Sequence, residues 1–188
     1  MSVRDGLLAI LTLGPAYGLQ LHSELASRAP HRKPVNVGQI YGTLDRLVAQ
    51  ALTEPAGVTD DGLPLYRLTA GGRSAAVQWM STPDTGALPA WTEMLDQVLV
   101  TSTIDPAAAK HVAEDYRRWW EGDLATSRTP VIEGSFPTEA HLALVAREAQ
   151  GVAALAWLGA AIAALSDYDS YRGLNETRPR RGRKPRTT

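Results

Sequence analysis

The stretch Asn36–Thr69, NVGQIYGTLDRLVAQALTEPAGVTDDGLPLYRLT, changes its apolar period midway, and that change decides the fold. Over 36–51, Ile40, Leu44, Leu47 and Val48 recur at helical spacing, and Asn36 stands where an N-cap belongs. From Leu52 to Val58 and from Leu65 to Leu68 the pattern is that of two short strands, joined through Thr59-Asp60-Asp61-Gly62, where Asp-Gly is a strong hairpin signal. Upstream, Val3, Leu7, Leu8, Ile10 and Leu11 predict a helix over 2–13, which Gly14-Pro15 breaks. Leu19, Leu21 and Leu25 predict a second over 17–28, and Thr69 caps a fourth that runs to about Met80. Three short helices followed by a hairpin are the layout of a winged helix-turn-helix.

Beyond it, Thr82 to Pro89 is rich in proline, glycine and small residues and reads as a linker. Helices are predicted over 91–102, from Asp105-Pro106 to about Arg128 with proline at the first helical position, and from Thr138 to about Tyr168. The last is roughly 45 Å long at the standard rise and must pack against something. The predicted organisation is therefore a winged helix-turn-helix over 1–81, a linker over 82–90, a helical dimerisation and effector region over 91–171, and a disordered basic tail over 172–188. The fold class is mainly α with a small β-hairpin wing.

Composition narrows the function. Of 188 residues 44% are hydrophobic and none is cysteine, which excludes disulfides, thiolate metal sites and a cysteine nucleophile. The apolar run Gly6 to Leu13 has no A-x-A-like cleavage site behind it, so it is not read as a signal peptide. The uncharged stretch 149–166 approaches the length of a membrane span, but it is mostly alanine, contains Gln150 and is flanked by acids, so a buried helix of a soluble protein is expected and no membrane contact. The net charge of −1 hides segregation: residues 1–80 carry +1, residues 81–171 carry −8 and residues 172–188 carry +6. A basic tail behind an acidic middle points to nucleic acid.

Four blocks together carry a family resemblance: Leu7-Leu8-Ala9-Ile10-Leu11, Gly14-Pro15-Ala16-Tyr17-Gly18-Leu19-Gln20-Leu21, Gln39-Ile40-Tyr41-Gly42-Thr43-Leu44-Asp45-Arg46-Leu47, and Leu65-Tyr66-Arg67-Leu68-Thr69-Ala70-Gly71-Gly72-Arg73. Their order and spacing resemble the PadR family of regulators, whose longer members add a helical region for dimerisation and effector binding. The resemblance implies a cytoplasmic, nucleoid-associated, homodimeric repressor that binds double-stranded operator DNA and is relieved by a small aromatic or hydrophobic ligand. Two departures stand out. Ala51 replaces the glycine usual at the end of the recognition helix, and Asp60-Asp61 occupy a wing tip that is often basic.

The candidate DNA-binding residues follow from both readings. Opposite the apolar stripe of the third helix lie Gln39, Thr43 and Arg46 on one strip, with Gly38 and Gly42 beside them. Gln pairs bidentately with adenine and Arg with guanine in the major groove. Asn36 at the helix start, and Arg32 and Lys33 with His31 just before it, offer charge and free N–H groups to a phosphate. The resemblance adds Tyr41 as a DNA anchor, a packed ring with a wet hydroxyl being the alternative, Tyr17 at the start of the second helix with the same two readings, and Arg67 on the wing. In the tail, Arg181-Gly182-Arg183-Lys184-Pro185 resembles an AT-hook, with Lys184 interrupting the usual Gly-Arg-Pro core; an ordinary polybasic tail is the alternative.

Trp91, Trp119, Trp120 and Trp157 are candidate linings of an effector pocket, the alternative being plain core. Along the last helix Ala149, Val152, Ala153, Ala156, Gly159, Ala160 and Ala163 form a small-residue seam suited to a two-fold mate. No nucleophile motif, phosphate loop or metal-ligand spacing is present in the sequence, so neither enzyme activity nor a cofactor or metal is expected. An architectural protein that coats AT-rich DNA without an effector is the alternative function.

Overall fold

The computed structural model describes residues 3–33, 35–85, 88–127 and 138–175. Its elements are α1 (Val3–Leu11), β1 (Ala16–Tyr17), α2 (Gly18–Arg28), α3 (Val37–Ala49), β2 (Thr53–Val58), β3 (Pro64–Leu68), α4 (Ala70–Ser81), α5 (Trp91–Ser102), α6 (Pro106–Ser127) and α7 (Thr138–Asp167). The chain is a winged helix-turn-helix followed by a helical C-terminal region.

Apolar content explains where α1 sits. Leu7, Leu8, Ile10 and Leu11 join Leu21, Leu25, Ile40, Leu44, Leu47 and Leu68 in the first core, while Ala9 on the other face meets Ala29, Met80 and Val100. From Gly6 to Leu11 every residue of α1 is buried, because the helix is sandwiched between the winged unit and α5, and only Arg4 and Asp5 near its start are partly exposed. A second core, built on Met94, Val98, Val112, Tyr116, Trp120, Ala154 and Leu158, holds α5, α6 and α7 together.

The sheet has strand order β1-β3-β2, antiparallel throughout. The predicted hairpin thus gains a third strand, a two-residue pairing of Ala16 and Tyr17 with Tyr66 and Leu65. It is too short to leave a period in the sequence. Thr69 caps α4 as expected, its hydroxyl accepting from Gly72 N at 3.0 Å. Asp105 caps α6 by accepting from Ala108 N at 2.9 Å.

The expectation of a buried last helix is corrected. α7 is long and apolar enough to cross a membrane by length and composition, yet only Gly151, Ala154 and Leu158 of its residues are buried. These three lie on the side toward α6, and one neighbouring helix can cover only one face. Gly151 permits the close crossing: a Cβ there would stand 2.9 Å from Leu124 Cδ2. The opposite seam of Ala149, Val152, Ala153, Ala156, Gly159, Ala160 and Ala163 is exposed.

The predicted tail also needs correction at its start. Arg172 to Asn175 do not leave the molecule but run back over α2. The basic residues Arg181, Arg183 and Lys184 lie outside the described residues.

Candidate nucleic-acid interface

The recognition helix α3 is fixed at both ends. Asn36 caps it by accepting from Gly38 N at 2.7 Å, so its side-chain oxygen is committed to the helix. At the other end Leu52 N donates to Leu47 O at 2.9 Å and Ala51 N to Val48 O at 2.9 Å, the paired bonds of a Schellman motif, with Ala51 at φ 53°. Ile40, Leu44 and Leu47 anchor the inner face.

On the outer face Gln39, Gly42, Arg46 and Gln50 are exposed. Thr43 is not: it is 3% exposed, and the expectation that it shares the strip is corrected. A β-branched hydroxyl facing its own preceding turn bonds backward, here donating to Gln39 O at 2.8 Å and accepting from Arg46 Nη2 at 3.1 Å. Arg46 Nε also donates to Gly42 O at 3.0 Å, which lays the guanidinium along the helix. Thr43 is thus a prop for Arg46.

Beside this face lies a cleft of about 380 Å³ lined by Arg4, Arg32, Gln39, Arg46 and Gln50, between α1 and α3. Arg4 pairs with Asp5 at 2.6 Å. Just upstream of α3 the basic turn is divided between two tasks. His31 Nε2 lies 3.0 Å and Arg32 Nε 3.3 Å from Asp96 Oδ1 on α5, while Lys33 is exposed. Burial pushes the Asp96 carboxyl above its usual range, with Arg32 and His31 opposing the shift.

Tyr41 is half-buried and lies across α2: a Cβ on Gly18 would stand 2.6 Å from its ring and 3.0 Å from its hydroxyl. Glycine at 18 is what lets the two helices of the motif meet at this ring. Tyr41 and Asp45 both face Tyr66, whose phenol is pushed above its usual range mainly by burial. Tyr17 is only 9% exposed, in β1 beside β3. Arg67 is exposed and bonds Glu54 at 2.8 Å across the wing. The tip is a closed turn, with Gly62 N donating to Thr59 O at 2.8 Å, and it exposes Asp60 and Asp61.

The four tryptophans gather in the second core. Trp91 and Trp157 meet edge to face with centroids 6.1 Å apart, and Trp119 and Trp120 at 5.0 Å. Trp120 is 0% exposed and belongs to the second core. Its indole N–H has no hydrogen-bond partner among the described residues. Trp91, Trp119 and Trp157 ring that core at partial exposure, and Trp119 borders a shallow hollow with Pro83, Thr85 and Arg118.

Sequence reasoning missed the links between the two halves. Asp96 is one. Gln97 is a second: its amide donates to the carbonyls of Trp79 and Thr82 at the end of α4 and accepts from the Tyr116 hydroxyl at 2.6 Å. Burial pushes that phenol up to about 12. Arg28 is a third, buried in the last turn of α2. It donates to Glu24 at 2.9 Å, to the Thr103 hydroxyl at 2.6 Å and to the carbonyls of Thr103, Arg172 and Gly173 at 3.1, 3.1 and 2.8 Å. The signal available was a polar residue at an apolar-side position of a short helix.

Residues 7–78 match the family model described as "Transcriptional regulator PadR-like family". No curated protein matches the sequence. Among solved structures, Bacillus subtilis PadR in complex with operator DNA is 16% identical with a TM-score of 0.42, the match covering 88% of this chain and 99% of that chain. The same Bacillus subtilis protein in complex with p-coumaric acid is 16% identical with a TM-score of 0.39, covering 88% and 99%.

Proposed function

We propose that this chain, which over residues 7–78 belongs to the PadR-like family of transcriptional regulators, is a cytoplasmic homodimeric repressor of a palindromic operator. The observation that carries this reading is the face of α3, where Gln39 and Arg46 are exposed beside an arginine-lined cleft. Gln39 and Arg46 read base edges. Arg4, Arg32, Lys33 and Arg67, together with the Tyr41 hydroxyl, meet phosphates and set the register. The acidic wing tip repels the backbone, so the wing contributes through its strands rather than its end.

The exposed α7 seam supports a homodimer, because small residues let a second helix approach closely. It would place two copies of α3 about 34 Å apart, one turn of the duplex. The partly exposed Trp91, Trp119 and Trp157 supply flat apolar surface for a planar aromatic effector, which acts by binding the DNA-free arrangement more tightly.

The test is to recover DNA from a random pool with purified protein, then compare wild type with Arg46→Ala on recovered and scrambled duplexes. The expected recovery is one palindrome, with a loss of about tenfold or more confined to it. Equal losses on both duplexes would remove Arg46 as a base reader. Broad recovery of AT-rich DNA would replace the operator by an architectural role.

A further inference from the structure

The arginines of the winged unit differ in what holds them. Arg4, Arg28, Arg32 and Arg67 each have a carboxylate within 3.3 Å, from Asp5, Glu24, Asp96 and Glu54 in turn. Arg46 is held by neutral oxygens instead: Nε donates to Gly42 O at 3.0 Å and Nη2 to Thr43 Oγ1 at 3.1 Å. No acid lines the cleft beside it. A carboxylate partner offsets a guanidinium's charge and takes its strongest hydrogen bonds. A carbonyl and a hydroxyl orient the group and leave its charge in place.

Which donors are spent decides what is left. A guanidinium is a planar fork that an acceptor can approach from the side, at Nε and Nη2, or from the end, at Nη1 and Nη2. In Arg46 the helix takes the side. Nη1 donates to no described residue, so the end pair stays free at an exposed position. Thr43 suits the task of holding it. Its side chain is buried at 3% exposure, and its own hydroxyl hydrogen goes to Gln39 O at 2.8 Å. With that proton committed, only lone pairs of the hydroxyl face Arg46. The bond back to the preceding turn also fixes χ1 of Thr43, and with it the position of the acceptor.

We infer that Thr43 is the positioning residue that turns the end-on fork of Arg46 toward the O6 and N7 of a guanine, so that its hydroxyl sets how strictly the operator must carry guanine at that base pair. Parallel bonds from Nη1 and Nη2 fit those two acceptors, whereas adenine has an amino group where guanine has O6 and offers only N7. An unheld arginine at the same place would satisfy itself equally on a phosphate or a water. One held to its own helix loses less side-chain entropy on docking and has fewer alternatives. This assignment rests on the proposed seating of α3 in a major groove.

The experiment uses the full chain and the operator recovered from the random pool, at the base pair where Arg46→Ala loses discrimination. Affinity is measured for that duplex, for one with adenine in place of the guanine, and for one with 7-deazaguanine, which lacks the N7 acceptor. The wild type should lose about tenfold or more on either change. Thr43→Val, which keeps the buried shape and removes the hydroxyl, should bring that ratio down to the level of Arg46→Ala, with affinity for scrambled DNA unchanged. Thr43→Ser, which keeps the hydroxyl, should discriminate as the wild type does. Adding Thr43→Val to Arg46→Ala should change nothing further. Thr43→Ser and Thr43→Ala, which differ only by the hydroxyl, give the same comparison should Thr43→Val unfold. Undiminished discrimination in the variants without the hydroxyl, or an added loss in the double variant, overturns the positioning role and leaves Arg46 a base reader. Wild-type discrimination at every base pair in Arg46→Ala overturns the seating of α3 itself, and the role of Thr43 with it.

Discussion

Ala51 shows what a single position can and cannot reveal. The sequence identifies it as the residue where the resembled family has glycine, and the structure gives the reason that glycine is favoured there. The Schellman bonds at the end of α3 require a left-handed residue, and Ala51 adopts φ 53° with a methyl group attached. A left-handed L-residue costs roughly 1–2 kcal/mol. Ala51→Gly should therefore stabilise the protein by about 1 kcal/mol, read as a higher urea midpoint at unchanged slope. Gly18 is the opposite case. Gly18→Ala places a methyl 2.6 Å from the Tyr41 ring, so the ring must shift, at a cost of about 1–3 kcal/mol. Operator affinity should fall with it, and a variant of wild-type stability and affinity would show that Tyr41 is not held in place by α2.

At the scale of elements, the helices were legible because burial imposes a period on side chains. The α3 stripe, the Thr69 and Asp105 caps and the hairpin turn all left residue-type signatures. The segment 170–175 and β1 did not, because most of their bonds run to backbone carbonyls, which every residue possesses. For the same reason Arg28 reads as an ordinary helix-ending cation until its partners are seen. Arg28→Ala leaves Glu24 buried without its partner and should cost about 3–5 kcal/mol, measured by chemical denaturation. The α6–α7 pair carries a different lock, the Asp123–Arg147 ion pair, whose Arg147 Nε donates at 2.9 Å. Hydrogen bonding to Arg147 holds the Asp123 carboxyl below the usual carboxylate range. Its contribution is therefore complete above that range and is lost as pH falls below it through the lowered value. Asp123→Asn should lower stability at neutral pH and flatten its fall toward acid, so that variant and wild type converge at low pH.

For the whole molecule the exposed seam of α7 is the feature that asks for completion. Ala153 lies within it and is exposed in the single chain, so Ala153→Glu should leave the monomer fold intact. In a two-fold interface the same change buries two unpaired carboxylates, and the dimer should weaken about a hundredfold or more, as seen by sedimentation. Retention of a wild-type dimer would move the interface elsewhere. The outward placing of Gln39 and Arg46 was legible in the helical period. The burial of Thr43, which bonds its own helix, and of Tyr17, in the short strand β1, was not.

The Asp96 carboxylate, inside the helical half, holds two side chains that stand one short turn before the recognition helix. A guanidinium that answers to Asp96 cannot answer fully to a phosphate at the same moment. Any displacement of α5 thus changes what Arg32 has left to give the operator, and the operator in turn tugs on α5. For the proposed effector, thermodynamic reciprocity sets the expected outcome: whatever factor it takes from operator affinity, the operator takes from the effector's affinity.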